Sequence, residues 1–232
     1  PVHIVEYLKP GVEELAAVDG GLMLLVSAHA LGVAPVLLGG DLGQLRRVLL
    51  PAFRASERGA PHVFAYAITE PAAGPDVEDG HGAASYRPGV VARRAPGGWR
   101  LTGTQCFISG GDIASTVVVF AALDGEGMAS WTAFLVPRGA PGFHVVRTEH
   151  KLGMRASGAA ELRLDDVHVP DADVVGGLRQ GWALNRATLN LSRIPVGAMG
   201  VGFARAATAA AEDFACRFRL AGRPLVDYQE VQ

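Results

Sequence analysis

Along residues 1–60 the apolar positions recur at helical spacing, and from residue 61 they contract into short β-rich runs between Gly, Pro and Asp. Val12 to Ala17 closes one predicted helix. Asp19 is placed to cap a second, running to about Leu31. Gly39-Gly40 breaks the chain, and Asp41 can cap a third helix through Arg54, with Leu45, Val48, Leu49 and Phe53 along one face. The 21 residues between Asp19 and Asp41 contain no Asp, Glu, Lys or Arg, which is about the length of a membrane span. His29, Pro35 and the glycines Gly20, Gly21, Gly32, Gly39 and Gly40 argue against a span, so a buried helical hairpin is expected. His29 is read as a packed or solvent-facing histidine.

Over residues 61–172 the predicted strands are Val63 to Thr69, Tyr86 to Arg94, Trp99 to Ile108, Thr116 to Leu123, Trp131 to Pro137, Gly142 to Thr148 and Ala160 to Val169. Ala95-Pro-Gly-Gly98 is a good hairpin turn. The even spacing suggests a small antiparallel barrel or sandwich. From Leu178 the pattern is helical again: Ala183 to Leu191, then an Ala-rich run to Phe218. Pro195 is expected to kink or begin the long helix. Gly197, Gly200, Gly202, Ala206 and Ala209 would admit close helix neighbours. The fold class is therefore α+β. It comprises a partial helical domain (1–60), a central β-domain (61–172) and the start of a C-terminal helical bundle (173–232).

Composition narrows the function. The 232 residues are 49% hydrophobic and 19% charged, as in a packed globular chain. A net charge of −2 gives no electrostatic case for nucleic acid or an anionic membrane. Cys106 and Cys216 are read as buried thiols, which fits a cytoplasmic location better than a disulfide scaffold.

The stretch Phe64-Ala-Tyr-Ala-Ile-Thr-Glu-Pro-Ala-Ala-Gly-Pro-Asp76 carries the chemistry. A strand that ends in Thr and flows into a small-residue loop offers a hydroxyl and backbone N–H groups at one edge. That suits a polar heterocycle on the strand and a phosphate or sugar chain on the loop. An ordinary strand and turn fits the stretch alone equally well. It resembles, however, the Ala-Val/Ile-Thr-Glu-Pro-x-Ala-Gly-Ser-Asp signature of the acyl-CoA dehydrogenase family. Three further segments are similar and in the same order: Gln105-Cys-Phe-Ile-Ser-Gly-Gly111; Gly153-Met-Arg-Ala-Ser157 with Asp166-Val-His-Val-Pro170; and Gly222-Arg-Pro-Leu-Val-Asp-Tyr-Gln-Glu-Val-Gln232.

The resemblance implies an FAD enzyme that desaturates acyl thioesters, of acyl-CoA or an acyl-carrier protein. A carboxylate would take the α-proton and flavin N5 the β-hydride. An electron-accepting flavoprotein and a homo-oligomer, dimer or tetramer, are the implied partners, with no nucleic acid and no membrane span. Tyr66, Ala67, Ile68 and Thr69 would lie along the flavin ring, with Gly74 and Pro75 in the loop toward its ribityl and phosphate side. Phe107 matches the aromatic that packs on the ring, Ile108 its neighbour, and Ser109 the hydroxyl near N5. Tyr228 and Gln229 match a pair that reaches the dinucleotide of a neighbouring subunit. Asn190 and Arg193, with Pro75, fall on the substrate side, Arg193 near the pantetheine entrance; a structural salt bridge is an equal rival for Arg193.

Three departures stand out. Pro75 replaces a Ser, removing a hydroxyl and an N–H donor. The family's Arg-x-x-Phe-Gly reads Phe218-Arg-Leu-Ala-Gly222, with Arg displaced to Arg217 or Arg219 and Ala221 in place of Phe. Ser192 occupies a position where some members carry the catalytic Glu, which in the others lies beyond residue 232. No residue here is therefore a persuasive base. Glu70 is expected to turn into structure and Asp76 to close the loop. Two alternatives stay open: a flavin-poor structural subunit of a heteromeric enzyme, and a related flavin monooxygenase or nitroalkane oxidase.

Overall fold

The computed structural model describes residues 2–39, 41–73 and 86–232. Helix α1 (Val2–Val18) hands over to α2 (Gly20–Gly39) at Asp19, whose Oδ1 accepts the N–H of Gly21 (2.7 Å) and Leu22 (2.9 Å). The expected cap is thus present, but the expected hairpin is not. Helix α2 runs on past Leu31 and through Pro35 as one rod. Pro35 removes the N–H that would serve the Leu31 carbonyl. Packing outweighs that loss: Gly32 sits so close to the next strand that a Cβ there would meet the Phe64 backbone at 2.8 Å. Helix α2 and the long C-terminal helix are each long and apolar enough to cross a membrane by length and composition.

Asp41 caps α3 (Leu42–Gln44), accepting the Gln44 N–H at 2.9 Å. A π-helical turn, Leu45–Leu49, then leads into α4 (Leu50–Glu57), with Pro51 in its first turn. Leu45, Val48 and Leu49 turn inward as expected, but Ala52 takes the next inward place and Phe53 stays 46% exposed. One residue is about a 100° step around the helix, enough to carry Phe53 off the buried face. Gln44 is fully buried, and its Nε2 donates to the Ala172 and Val174 carbonyls.

The sheet contains β1 (Phe64–Ala67), β2 (Val91–Ala95), β3 (Gly98–Ser109), β4 (Thr116–Leu123), β5 (Thr132–Pro137), β6 (Phe143–Thr148), β7 (Ala159–Pro170) and β8 (Val174–Val175). The order is β6-β7-β3-β2-β4-β5-β8, with β1 also paired to β4. The β2–β3 hairpin closes at Ala95↔Gly98, as expected. Two pairings are not antiparallel: β1 and β2 both run parallel to β4 along one of its edges, from Phe64↔Thr116 and from Val91↔Ala122. Parallel neighbours need a long connection, which the β2–β3 hairpin supplies between β1 and β4. Strand β4 is correspondingly buried at all eight positions. The expected strand at Tyr86 starts only at Val91, after Pro88 and Gly89. Strands distant in the order share one core: Trp99 of β3 meets Phe134 of β5 with ring centroids 6.1 Å apart. A second core, with Phe64, Tyr66, Phe120 and Trp131, lies between the sheet and the helices.

Helix α5 (Gly181–Arg217) begins at Gly181 and not at Pro195, which it passes through. Gly181 donates to the Trp131 carbonyl (2.8 Å), and a Cβ there would lie 2.6 Å from that carbonyl. Gly202 makes the expected close approach, against the Glu13 carbonyl of α1, whereas Gly197 and Gly200 face open space. Past the α1 contact few side chains of α5 are covered. Cys216 is exposed there, against expectation, while Cys106 is buried. A two-stranded hairpin, β9 (Arg219–Leu220) with β10 (Arg223–Pro224), follows.

Candidate cofactor site

Strand β1 delivers Tyr66 and Ala67 to the sheet, and its pairing with β4 ends at Ala67. Ile68 and Thr69 therefore leave the ladder as a short, half-buried edge. Beside it, β3 slips register against β7 between Gln105 and Ile108. Two hydrogen bonds lock the segments together: Cys106 N–H donates to the Thr69 carbonyl (2.9 Å), and buried Gln105 Nε2 donates to the Ala67 carbonyl (2.8 Å).

At the slip Phe107 has φ 58°, the left-handed region that a bulky side chain avoids. Phe107 is 62% exposed, while Cys106 and Ile108 on either side are buried. A strained backbone that turns an aromatic residue to the outside makes this edge a candidate functional site. The hydroxyl-bearing residues Thr69 and Ser109, both half-buried, lie on the same two segments. A face for stacking, two hydroxyls and an open backbone edge suit a planar polar heterocycle, so the residues present fit an isoalloxazine.

The other expected ring neighbours use their side chains elsewhere. Tyr66 is buried, packs edge-on to Phe120, and its hydroxyl donates to Asn185 Oδ1 of α5 at 2.5 Å. Ala67 and Ile108 are core residues, and Ile68 packs on the second core. Ala67 and Ile108 can therefore meet a ligand only through their backbone. Gly74, Pro75 and Asp76 lie outside the described residues.

Glu70 is buried structure, as expected. Its carboxylate accepts Tyr86 O–H and Gly89 N–H, both at 2.5 Å, and Val90 N–H at 3.0 Å. Three donors thus engage this carboxylate in the structure around the strand end. Ser192 Oγ donates to the Leu189 carbonyl of its own helix (2.9 Å). Asn190 and Arg193 are exposed on α5. Arg193 lies about 12 Å along the axis from the Asn185–Tyr66 contact. Burial pushes the Cys106 thiol above its ordinary range, which keeps it protonated.

The expected dinucleotide contacts cluster elsewhere. Arg217 is ion-paired to Asp213, and Arg219 Nη1 donates to the Gly222 carbonyl (3.1 Å). Tyr228 O–H donates to the Leu220 carbonyl (2.7 Å), and Gln229 is exposed. Sequence reading missed Arg223, whose guanidinium stacks 3.7 Å over the Tyr228 ring. It missed Gln105 and Asn185 as well. A polar residue amid a β-run was the one signal available for Gln105. From Asn185 to Arg217 the helix extends about 50 Å. A ligand on the β1–β3 edge is therefore far from this hairpin in the same chain.

An enzyme class is now recognisable from sequence comparison. Residues 65–167 match the acyl-CoA dehydrogenase middle domain, and residues 179–232 match the acyl-CoA dehydrogenase C-terminal domain. The chain belongs to the acyl-CoA dehydrogenase family. It is 32% identical over 222 residues to a short-chain specific acyl-CoA dehydrogenase of Megasphaera elsdenii, covering 95% of this chain and 55% of that one. The solved butyryl-CoA dehydrogenase from the same organism aligns with TM-score 0.83 at 32% identity, over 95% of this chain and 55% of the other. An acyl-CoA dehydrogenase of Bacillus anthracis, solved with FAD, aligns with TM-score 0.82 at 26% identity, over 95% and 36% respectively. The chain thus spans about half the length of the first two and less of the third.

Proposed function

We propose that this chain forms part of an FAD-dependent dehydrogenase acting on an acyl-CoA thioester. The observation that carries the reading is Phe107, strained and turned outward beside Thr69 and Ser109. The flavin, when bound, supplies the hydride acceptor. The chain's own residues hold and orient it. Phe107 would give the stacking face, the Thr69 and Ser109 hydroxyls would donate to ring heteroatoms, and the backbone from Tyr66 to Thr69 would line the edge. The buried bond from Gln105 to Ala67 keeps those groups in one geometry.

Asn190 and Arg193 extend the site along α5 toward the polar end of the substrate. The α-proton base is not supplied by Glu70 or Ser192, whose polar atoms are engaged. Because the β9–β10 hairpin is out of reach within one chain, Tyr228, Gln229 and Arg223 serve a second copy, which makes the enzyme a homo-oligomer. Arg223 supplies the cation that the family pattern would have placed at Phe218. An electron-accepting flavoprotein would be the partner that takes the electrons onward. The test is the intact protein reconstituted with FAD and mixed anaerobically with butyryl-CoA. Bleaching of the flavin band is expected. A protein that takes up no flavin contradicts the proposal, and one that takes it up without bleaching contradicts the substrate class.

A further inference from the structure

We propose that His29 is a positioning residue that seats the start of β1, and with it the Ile68–Thr69 edge, through a hydrogen bond that acid breaks. What this does to a bound flavin rests on the reading above; the seating itself does not.

His29 Nδ1 on α2 accepts the backbone N–H of Phe64, the first residue of β1, at 3.1 Å. A backbone N–H can only donate, so this nitrogen must be unprotonated and the ring neutral with its proton on Nε2. Protonation would set a second donor against the first. Phe64, fully buried, packs against two histidine rings, His29 at 5.8 Å and His62 at 5.0 Å between centroids. His62 Nε2 is 2.9 Å from Thr116 Oγ1, and Thr116 is the register partner of Phe64 on β4. One histidine thus ties β1 to α2, and the other ties the segment before β1 to β4. Little slack is available to absorb a lost bond, because Gly32, one turn after His29, already touches the Phe64 backbone.

Charge is unwelcome at both rings. Burial holds each below the ordinary histidine range, and the charge of His62 lowers His29 further. Among the described residues, His62 is the one ionisable group whose charge acts on His29. With folded pKa values below 6.5, the unfolded chain binds protons first. The stabilisation is complete above pH 6.5 and is lost as pH falls toward the folded values.

The test is hydrogen exchange of the Phe64 amide in the flavin-free intact protein at pH 7.5 and 5.5, expressed as protection factors. A roughly tenfold fall in protection is expected on acidification. His29→Asn places an amide oxygen where Nδ1 stands and does not titrate, so protection should hold at both pH values. His29→Leu should be weakly protected at both. An acid loss in His29→Asn equal to that of the original protein overturns the proposal. His62→Gln gives an independent reading: removing a like charge should move the His29 step to higher pH, and an unmoved step also overturns it. With FAD bound, acid should release flavin from the original protein sooner than from His29→Asn. If no flavin binds at any pH, the cofactor reading fails, while the amide measurement still decides the role of His29.

Discussion

The β1–β3 edge and the distal half of α5 are built by opposite rules. At the edge, strands and helices meet through buried or part-buried polar bonds: Gln105 to Ala67, Cys106 to Thr69, Tyr66 to Asn185 and Phe64 to His29. Beyond Phe203, α5 and the segment that follows it are nearly bare, with Phe214, Phe218 and Leu220 each about half exposed. Buried hydrogen bonds have one satisfactory geometry, so the edge can hold a ring to the precision that catalysis needs. Exposed apolar side chains on a long helix have none until something covers them. In the proposed function, chemistry belongs to the first region and association to the second.

The contrast can be broken by substitution. Glu70→Ala should have the largest effect, about 3 kcal/mol in denaturant unfolding, because Tyr86 and two backbone N–H groups lose their acceptor. Gly32→Ala should follow at about 2 kcal/mol, since the new Cβ meets backbone at 2.8 Å and not a movable side chain. Gln105→Leu should remove only about 1 kcal/mol: a bond to the Ala67 carbonyl is lost, but its Oε1, buried without a partner, is removed too. Flavin retention should nevertheless fall for Gln105→Leu. On the distal side, Arg223→Ala should change stability by less than about 0.5 kcal/mol and still weaken flavin retention in the assembled oligomer. Equal stability losses in both regions would erase the distinction.

Much of the fold was legible where local chemistry decides it. The all-apolar run Val117 to Leu123 announces a buried strand, Pro96-Gly97 announces a hairpin, and Asp19 and Asp41 announce helix starts. What was not legible depends on distant partners. Nothing near Pro35 says that α2 continues, because the force that carries it through is contact between Gly32 and Phe64. Nothing in Phe64–Ala67 says that its partner is parallel and lies beyond a hairpin. At the site, resemblance led to Thr69 and Phe107, and the slip at Gln105–Ile108 explains physically why an aromatic in a β-run points outward. The Gln105 clamp and the Arg223 stack were missed, because each acts through a residue it meets only once the chain has folded.

Phe107→Gly tests the central claim most directly. Glycine accepts a φ of 58° without strain, so the variant should be as stable as the original protein or about 1 kcal/mol more so. Titrated with FAD and followed by flavin fluorescence, it should bind at least tenfold more weakly. Unchanged affinity in a stable Phe107→Gly protein would contradict the placement of the flavin on this edge.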